Sequence, residues 1–203
     1  MAGTDYQILE DVAKEEGFDF KTLTDMFIME SSGQRLAVKG SHVGPFQLNE
    51  AVGKEYGIIT DKADYRTSIE HSARVAAELY KTNTKPFNSY VTDKINKRGI
   101  EPGLIGYIAH QQGRFGFQDI ITGAESGKIH PEIRKNMLSN SGNNDWSKLN
   151  DKQLANKFLD FWQERYDSKL KQAEKWRKKS KAKIDAMSFD PDSHIMKEVL
   201  VNP

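Results

Sequence analysis

The chain has no cysteine. That removes disulfides, thiolate nucleophiles and cysteine-based zinc sites, and leaves the compartment open. No apolar run approaches the roughly 18–20 residues needed to span a bilayer. The opening Met1-Ala2-Gly3-Thr4-Asp5-Tyr6-Gln7 lacks a basic segment followed by an apolar one, so no signal peptide is expected. A net charge is nearly absent too: 30 basic and 29 acidic residues leave +1, which argues against a dedicated nucleic-acid binder. Histidines at 42, 71, 110, 130 and 194 show no ligand spacing. Neither His-Glu-x-x-His nor a phosphate-cradling glycine-rich motif occurs. No metal and no cofactor are therefore expected. What is present is 203 residues, 37% hydrophobic and 29% charged, enough for one domain with a modest core or one domain plus an appendage.

Hydrophobic periodicity predicts a mainly α chain. Residues 5–16 place Tyr6, Ile8, Leu9, Val12 and Ala13 on one helix face, and Gly17 stops it. Asp19 is placed to cap a second helix over 20–31. Residues 32–45 are rich in serine and glycine and fit no helical period. A loop or small β-hairpin is expected, from alternations around Leu36-Ala37-Val38 and Pro45-Phe46-Gln47-Leu48. Further helices are expected over 48–56, 68–82, 89–97, 103–112 and 131–138. Pro102 suits a first turn and Gly113 a stop.

Residues 139–150 open with a run of serine, asparagine and glycine and read as a linker. After it, Leu154, Phe158, Phe161, Trp162, Tyr166, Leu170, Ala173 and Trp176 recur at helical spacing. The second half of that helix is basic, with Lys169, Lys171, Lys175, Arg177, Lys178, Lys179, Lys181 and Lys183. The tail has no clear period, although Ile195, Met196, Val199 and Leu200 offer apolar side chains for docking. The expected organisation is a domain over 1–138, a linker over 139–150 and a basic amphipathic helical extension over 151–203.

The chemistry centres on the second helix. With Leu23 at angle zero on a helix turning about 100° per residue, Phe27, Glu30 and Met26 fall near 40°, −20° and −60°. Glu30 thus shares the apolar face, at the negative end of the helix dipole. Lost water and the dipole both disfavour the ionised form. A glutamate moved from about 4.3 to about 6 or 7 can act as a general acid near neutral pH. The alternative is a glutamate that frays outward where the helix stops. Two later segments also set polar groups beside glycine: Gly44-Pro45-Phe46-Gln47-Leu48 and Tyr107-Ile108-Ala109-His110-Gln111-Gln112-Gly113.

These three segments, in this order, resemble the soluble lytic transglycosylases and goose-type lysozymes, which cleave peptidoglycan. That family has a helix pair ending in Glu-Ser, matched by Glu30-Ser31. It then has Gly-Leu-Met-Gln-Leu, matched by residues 44–48, and Ala-Tyr-Asn-Ala-Gly, matched by residues 109–113. The resemblance covers residues 5–125. Pro45-Phe46 replaces Leu-Met, His110 stands for the tyrosine and Gln111 for the asparagine; Tyr107, one turn back, is a substitute for that tyrosine. The resemblance implies an α+β lysozyme-like fold and Glu30 as general acid and base. It further implies Ser31, Phe46, Gln47, Tyr107, His110 and Gln111 as residues binding a peptidoglycan glycan strand.

The implied reaction cleaves the bond from N-acetylmuramic acid to N-acetylglucosamine and closes a 1,6-anhydro ring. Two rivals stand beside it: a muramidase that hydrolyses the same bond, and a non-enzymatic wall-binding or virion protein on the same fold. The motifs contain no second carboxylate; Glu50, Asp61 and Asp64 are the nearest in sequence. The basic helix over 165–183 is either a solvated face or a contact for an anionic envelope or virion proteins. No nucleic-acid partner is expected, and a monomer is. Without a signal peptide, the resemblance points to a phage-type enzyme, carried in a virion or released from the host cytoplasm at lysis, acting on the bacterial wall.

Overall fold

Thr4 opens the first helix with a capping box: its hydroxyl accepts from the Gln7 N–H, and the Gln7 side chain accepts from the Thr4 N–H. The computed structural model describes residues 4–142 and 144–188, so the docking expected of Ile195, Met196, Val199 and Leu200 lies outside the described residues. Among the described residues eight α-helices carry the fold: α1 (Asp5–Glu15), α2 (Phe20–Ser31), α3 (Glu50–Glu55), α4 (Ile69–Asn83), α5 (Ser89–Arg98), α6 (Pro102–Ser126), α7 (Pro131–Ser141) and α8 (Asp151–Ser188). A short hairpin, β1 (Val38–Lys39) and β2 (His42–Val43), stands between α2 and α3. The protein is mainly α, as its periodicity predicts.

Several ends follow from single residues. Asp19 accepts from the Thr22 N–H and starts α2, and Asn49, Ser68 and Asn88 cap α3, α4 and α5 in the same way. Pro102 occupies the first turn of α6. Gly113 interrupts α6 without ending it. At φ 71° and ψ 161° it breaks the helical path, and the chain resumes helix through Phe117, Ile120 and Ile121 because those side chains are buried. The second strand of the hairpin lies earlier than the expected alternation at residues 45–48. Val38 pairs with Val43 and Lys39 with His42, around a tight turn at Gly40-Ser41. Residues 45–47 leave the ladder, and Leu48 alone bridges back to Val43.

The core has two lobes. In one, α1, α2 and α4 bury Leu9, Leu23, Phe27, Ile28, Ala73 and Ala77 together with Phe46 and Leu48. In the other, α5, α6 and α7 gather Val91, Ile95, Leu104, Tyr107, Ile108, Phe117 and Met137. Helix α8 runs along both. Leu154, Phe158, Trp162 and Tyr166 enter the second lobe, and Ala173 and Trp176 pack on the first. Each fully buried large side chain contributes roughly 1.5–3 kcal/mol, so the aromatic stripe fastens α8 along its length. Polar contacts add direction: Arg177 donates to Thr24 and Asp25, and Lys169 donates to Ser32 Oγ. The stretch 139–150 has structure of its own. Residues 139–141 finish α7, and a 3-10 helix, Asn144–Lys148, buries Trp146.

Candidate active site

Helix α2 ends where the two lobes meet. Met29 belongs to one and Ile28 to the other, and the next residue is Glu30. A cleft of about 370 Å³ opens at this point. Its walls come from α2 (Met29, Glu30), the hairpin (Lys39, His42), the following loop (Gln47, Asn49), α6 (Tyr107, His110, Gln111), α7 (Asn140) and α8 (Arg165).

The Glu30 side chain is 10% exposed and points into this cleft. Burial pushes its carboxyl up to about 8, against the opposing pull of the Lys39 and Arg165 charges. The group is therefore protonated at neutral pH. His110 stands beside it, Nε2 to Oε1 at 4.0 Å. Burial, helped by the charge of His42, holds the imidazole down near 4. Tyr107 is buried with its ring edge against Trp162, centroids 5.2 Å apart. Burial first, then the nearby Glu30 carboxyl, keeps its phenol protonated far above neutral pH, while Arg165 hydrogen-bonds it.

Gln47 adopts a left-handed backbone at φ 48°. Its amide nitrogen donates to Ala37 O at 3.0 Å and Gly44 O at 2.8 Å. The amide protons thus hold the loop together, and the amide oxygen is the part left to meet a ligand. Gly44 shapes the same loop. At φ +87° it lies so close to the Arg66 carbonyl that a Cβ there would overlap the oxygen.

Glu30, Gln47, Tyr107, His110 and Gln111 meet in one cleft. Two expected binding residues do not face it. The Ser31 hydroxyl donates to Phe27 O at 2.9 Å and accepts from the Gln34 N–H at 3.2 Å, so it closes the helix end instead of meeting a ligand. Phe46 is 1% exposed and packs on Phe27, centroids 6.0 Å apart, as a core side chain. Sequence reasoning missed Lys39, His42, Asn49, Asn140 and Arg165. A signal for Arg165 existed: it lies three residues from Trp162 and next to Tyr166, at the edge of the buried stripe of α8.

The charge balance of the cleft is one-sided. Among the described residues that line it, Glu30 is the one carboxylate, beside the cations Lys39 and Arg165. Glu50 pairs with Lys54 and Asp64 with Arg66, both outside the cleft. Among the described residues no group of three histidine, aspartate or glutamate side chains is placed to hold a metal ion. Nor is any helix among them long and apolar enough to cross a membrane. No protein-family model matches the chain, and no curated protein is significantly similar to it.

Proposed function

We propose that the protein is a peptidoglycan lytic transglycosylase with Glu30 as its general acid and base. One observation carries this reading: a single carboxyl, kept protonated near neutral pH by burial, in a polar cleft with no second carboxylate among the described residues that line it. A proton donor of that kind suits glycosidic cleavage.

In this reaction Glu30 gives its proton to the oxygen linking N-acetylmuramic acid to N-acetylglucosamine, and that bond breaks. The substrate's own acetamido oxygen stabilises the oxocarbenium-like carbon, a route that needs no carboxylate nucleophile. Glu30, now ionised, takes the proton of the muramic 6-hydroxyl as that oxygen closes the 1,6-anhydro ring. The proton taken restores the acid. Lys39 and Arg165 stabilise the transient carboxylate, because they are the charges that favour its ionised form. His110, neutral beside it, offers a hydrogen-bonding ring without a competing charge.

Mass spectrometry of digested murein tests the reading. Anhydro-muropeptides from the wild type and none from Glu30→Gln are expected. Reducing ends would mean a muramidase, and intact murein would favour a non-enzymatic wall-binding role.

A further inference from the structure

Most arginines that fasten this fold hold a carboxylate: Arg66, Arg74, Arg134 and Arg177 all do. Arg165 has no such partner among the described residues. Its guanidinium lies over the Trp162 ring, 5.5 Å from the centroid, and borders the Glu30 cleft. Lys39 faces it from the hairpin side of the same cleft, exposed and without an ion pair among the described residues. One turn along α8, Lys169 donates to Ser32 Oγ at 2.9 Å and to Gln172 Oε1 at 3.4 Å, again without a carboxylate. Its ammonium is depressed by burial and by the charge of Arg165. Two elements distant in sequence therefore bring cations to one mouth with no anion among the described residues to balance them. Glu30 does not balance them, since it is protonated near neutral pH.

Beyond the help both cations give the transient Glu30 carboxylate, the binding of neutral sugar gains little from this arrangement. Hydroxyl and acetamido groups are read by amides and hydroxyls, which Gln47, Asn49, Gln111 and Asn140 already supply. A guanidinium braced on an indole has a fixed direction, and its planar fork matches a carboxylate.

We propose that Arg165 and Lys39 form a carboxylate-binding subsite at the mouth of the Glu30 cleft, which selects glycan carrying free carboxylates over neutral glycan. The assignment rests on reading the cleft as a glycan site. The carboxylate has two sources: the lactyl group of a muramic acid stripped of its peptide, or an acidic residue of an attached peptide. Both present the same chemistry to the guanidinium.

The test is a binding measurement on the full chain carrying Glu30→Gln, so that no strand is cut. Three probes of matched glycan length are used: peptide-free murein strands, the same strands with their carboxylates reduced to alcohols, and peptide-bearing strands. Carboxylate reduction is expected to weaken binding at least about tenfold, and Arg165→Gln to abolish that difference. Lys39→Ala, on an exposed hairpin position, should reduce it in part without touching the core, and it carries the test if Arg165→Gln lowers the melting temperature. Loss confined to peptide-free strands identifies the lactyl group, and loss confined to peptide-bearing strands identifies the peptide. Equal binding of peptide-free and reduced strands, with peptide-bearing strands bound as tightly by Arg165→Gln as by the parent, overturns the subsite alone, as does an equal loss on carboxylated and reduced strands in the variants. Binding of none of the three overturns the glycan reading of the cleft together with it.

Discussion

His110 Nε2 stands 4.0 Å from Glu30 Oε1, yet the two are not an ion pair near neutral pH. Burial drives each toward its uncharged form, the carboxyl up to about 8 and the imidazole down to about 4. The unfolded chain ionises them near their ordinary 4.5 and 6.5. Stability rises with pH wherever the unfolded state binds more protons. For His110 that interval is about pH 4 to 6.5, so its contribution is present above 6.5 and lost as pH falls through 4. Glu30 has the opposite sign: its contribution is full below 4.5 and is lost as pH rises through 8. From pH 4.5 to 6.5 the two cancel, and from 6.5 to 8 this pair alone lowers stability by up to about 1.4 kcal/mol per unit. Denaturant unfolding across this range should show Glu30→Gln more stable than wild type at pH 8 and equal to it near 4.5. His110→Gln should begin its decline at the lower pH.

The same carboxyl sets the pH dependence of activity. As a general acid it must be protonated, so murein cleavage should fall as pH rises through about 8. Lys39 and Arg165 both favour the ionised form. Removing either charge raises the Glu30 pKa, so Arg165→Gln and Lys39→Ala should carry the alkaline limb to higher pH. Below that limb Glu30→Gln should lose about 10²–10⁴-fold, and its profile should show no limb of its own. Profiles of kcat/KM on solubilised murein check the shift; an unmoved limb would mean that another group titrates.

Gly44 and Gly40 both have positive φ, in the same loop, and differ in their surroundings. A Cβ at Gly44 would run into the Arg66 backbone carbonyl, whereas one at Gly40 meets nothing within 4 Å. Gly40→Ala should cost about 1 kcal/mol, from backbone strain alone. Gly44→Ala adds a clash with main chain that has no rotamer to escape into. It should cost more than about 2 kcal/mol and, by moving the carbonyl that receives Gln47, also weaken glycan binding. Unfolding curves and strand affinity of the two variants separate these effects.

Local pattern made much of this legible. Asp19 as a cap, Glu30 on the apolar face of α2 and the α8 stripe all follow from residues a few positions apart. The meeting of Glu30, Gln47, Tyr107, His110 and Gln111 came from the family resemblance, not from periodicity. What escaped depends on distant partners. Whether Ser31 turns to a ligand or back to Phe27 O, and whether Phe46 walls the cleft or packs on Phe27, is decided by what the folded lobes place nearby. Arg165, flanked by Glu164 and Asp167, stands apart from the basic run that begins at Lys169, and only the folded lobes bring it to the cleft. Gly113 reads as a stop because glycine usually is one; only the burial of Phe117 and Ile120 beyond it carries the helix on.

Asp25 on α2 has a side chain 3% exposed, held by Arg177 of α8 and by Lys21 at 2.8 Å. Lys21 is itself 62% exposed, so it is a poor sole partner. Arg177→Ala leaves a buried carboxylate short of its main counter-charge and should destabilise by about 3 kcal/mol. Replacing both residues with apolar ones, Asp25→Leu with Arg177→Met, should recover most of that loss, because the desolvation cost leaves with the charges. Equal losses in the single and double variants, measured by urea unfolding, would locate the effect in packing instead.

Helix α8 tests whether the C-terminal segment is an appendage or part of the core. Leu154, Ala155 and Phe158 are wholly buried, and Trp162 covers the Tyr107 ring that borders the cleft. A chain ending at residue 150 would expose the α6 face that buries Leu104 and Tyr107, and would also uncover Phe27, against which Trp176 packs edge-on with centroids 5.4 Å apart. Losing four or more large buried contacts at roughly 1.5–3 kcal/mol each is comparable with the roughly 5–15 kcal/mol by which domains are commonly stable. The shortened chain should therefore lack a cooperative melt and clear no murein. It also lacks Arg165, so a fragment that melted cooperatively and bound carboxylated and reduced strands alike would separate the structural part of α8 from its part in the cleft.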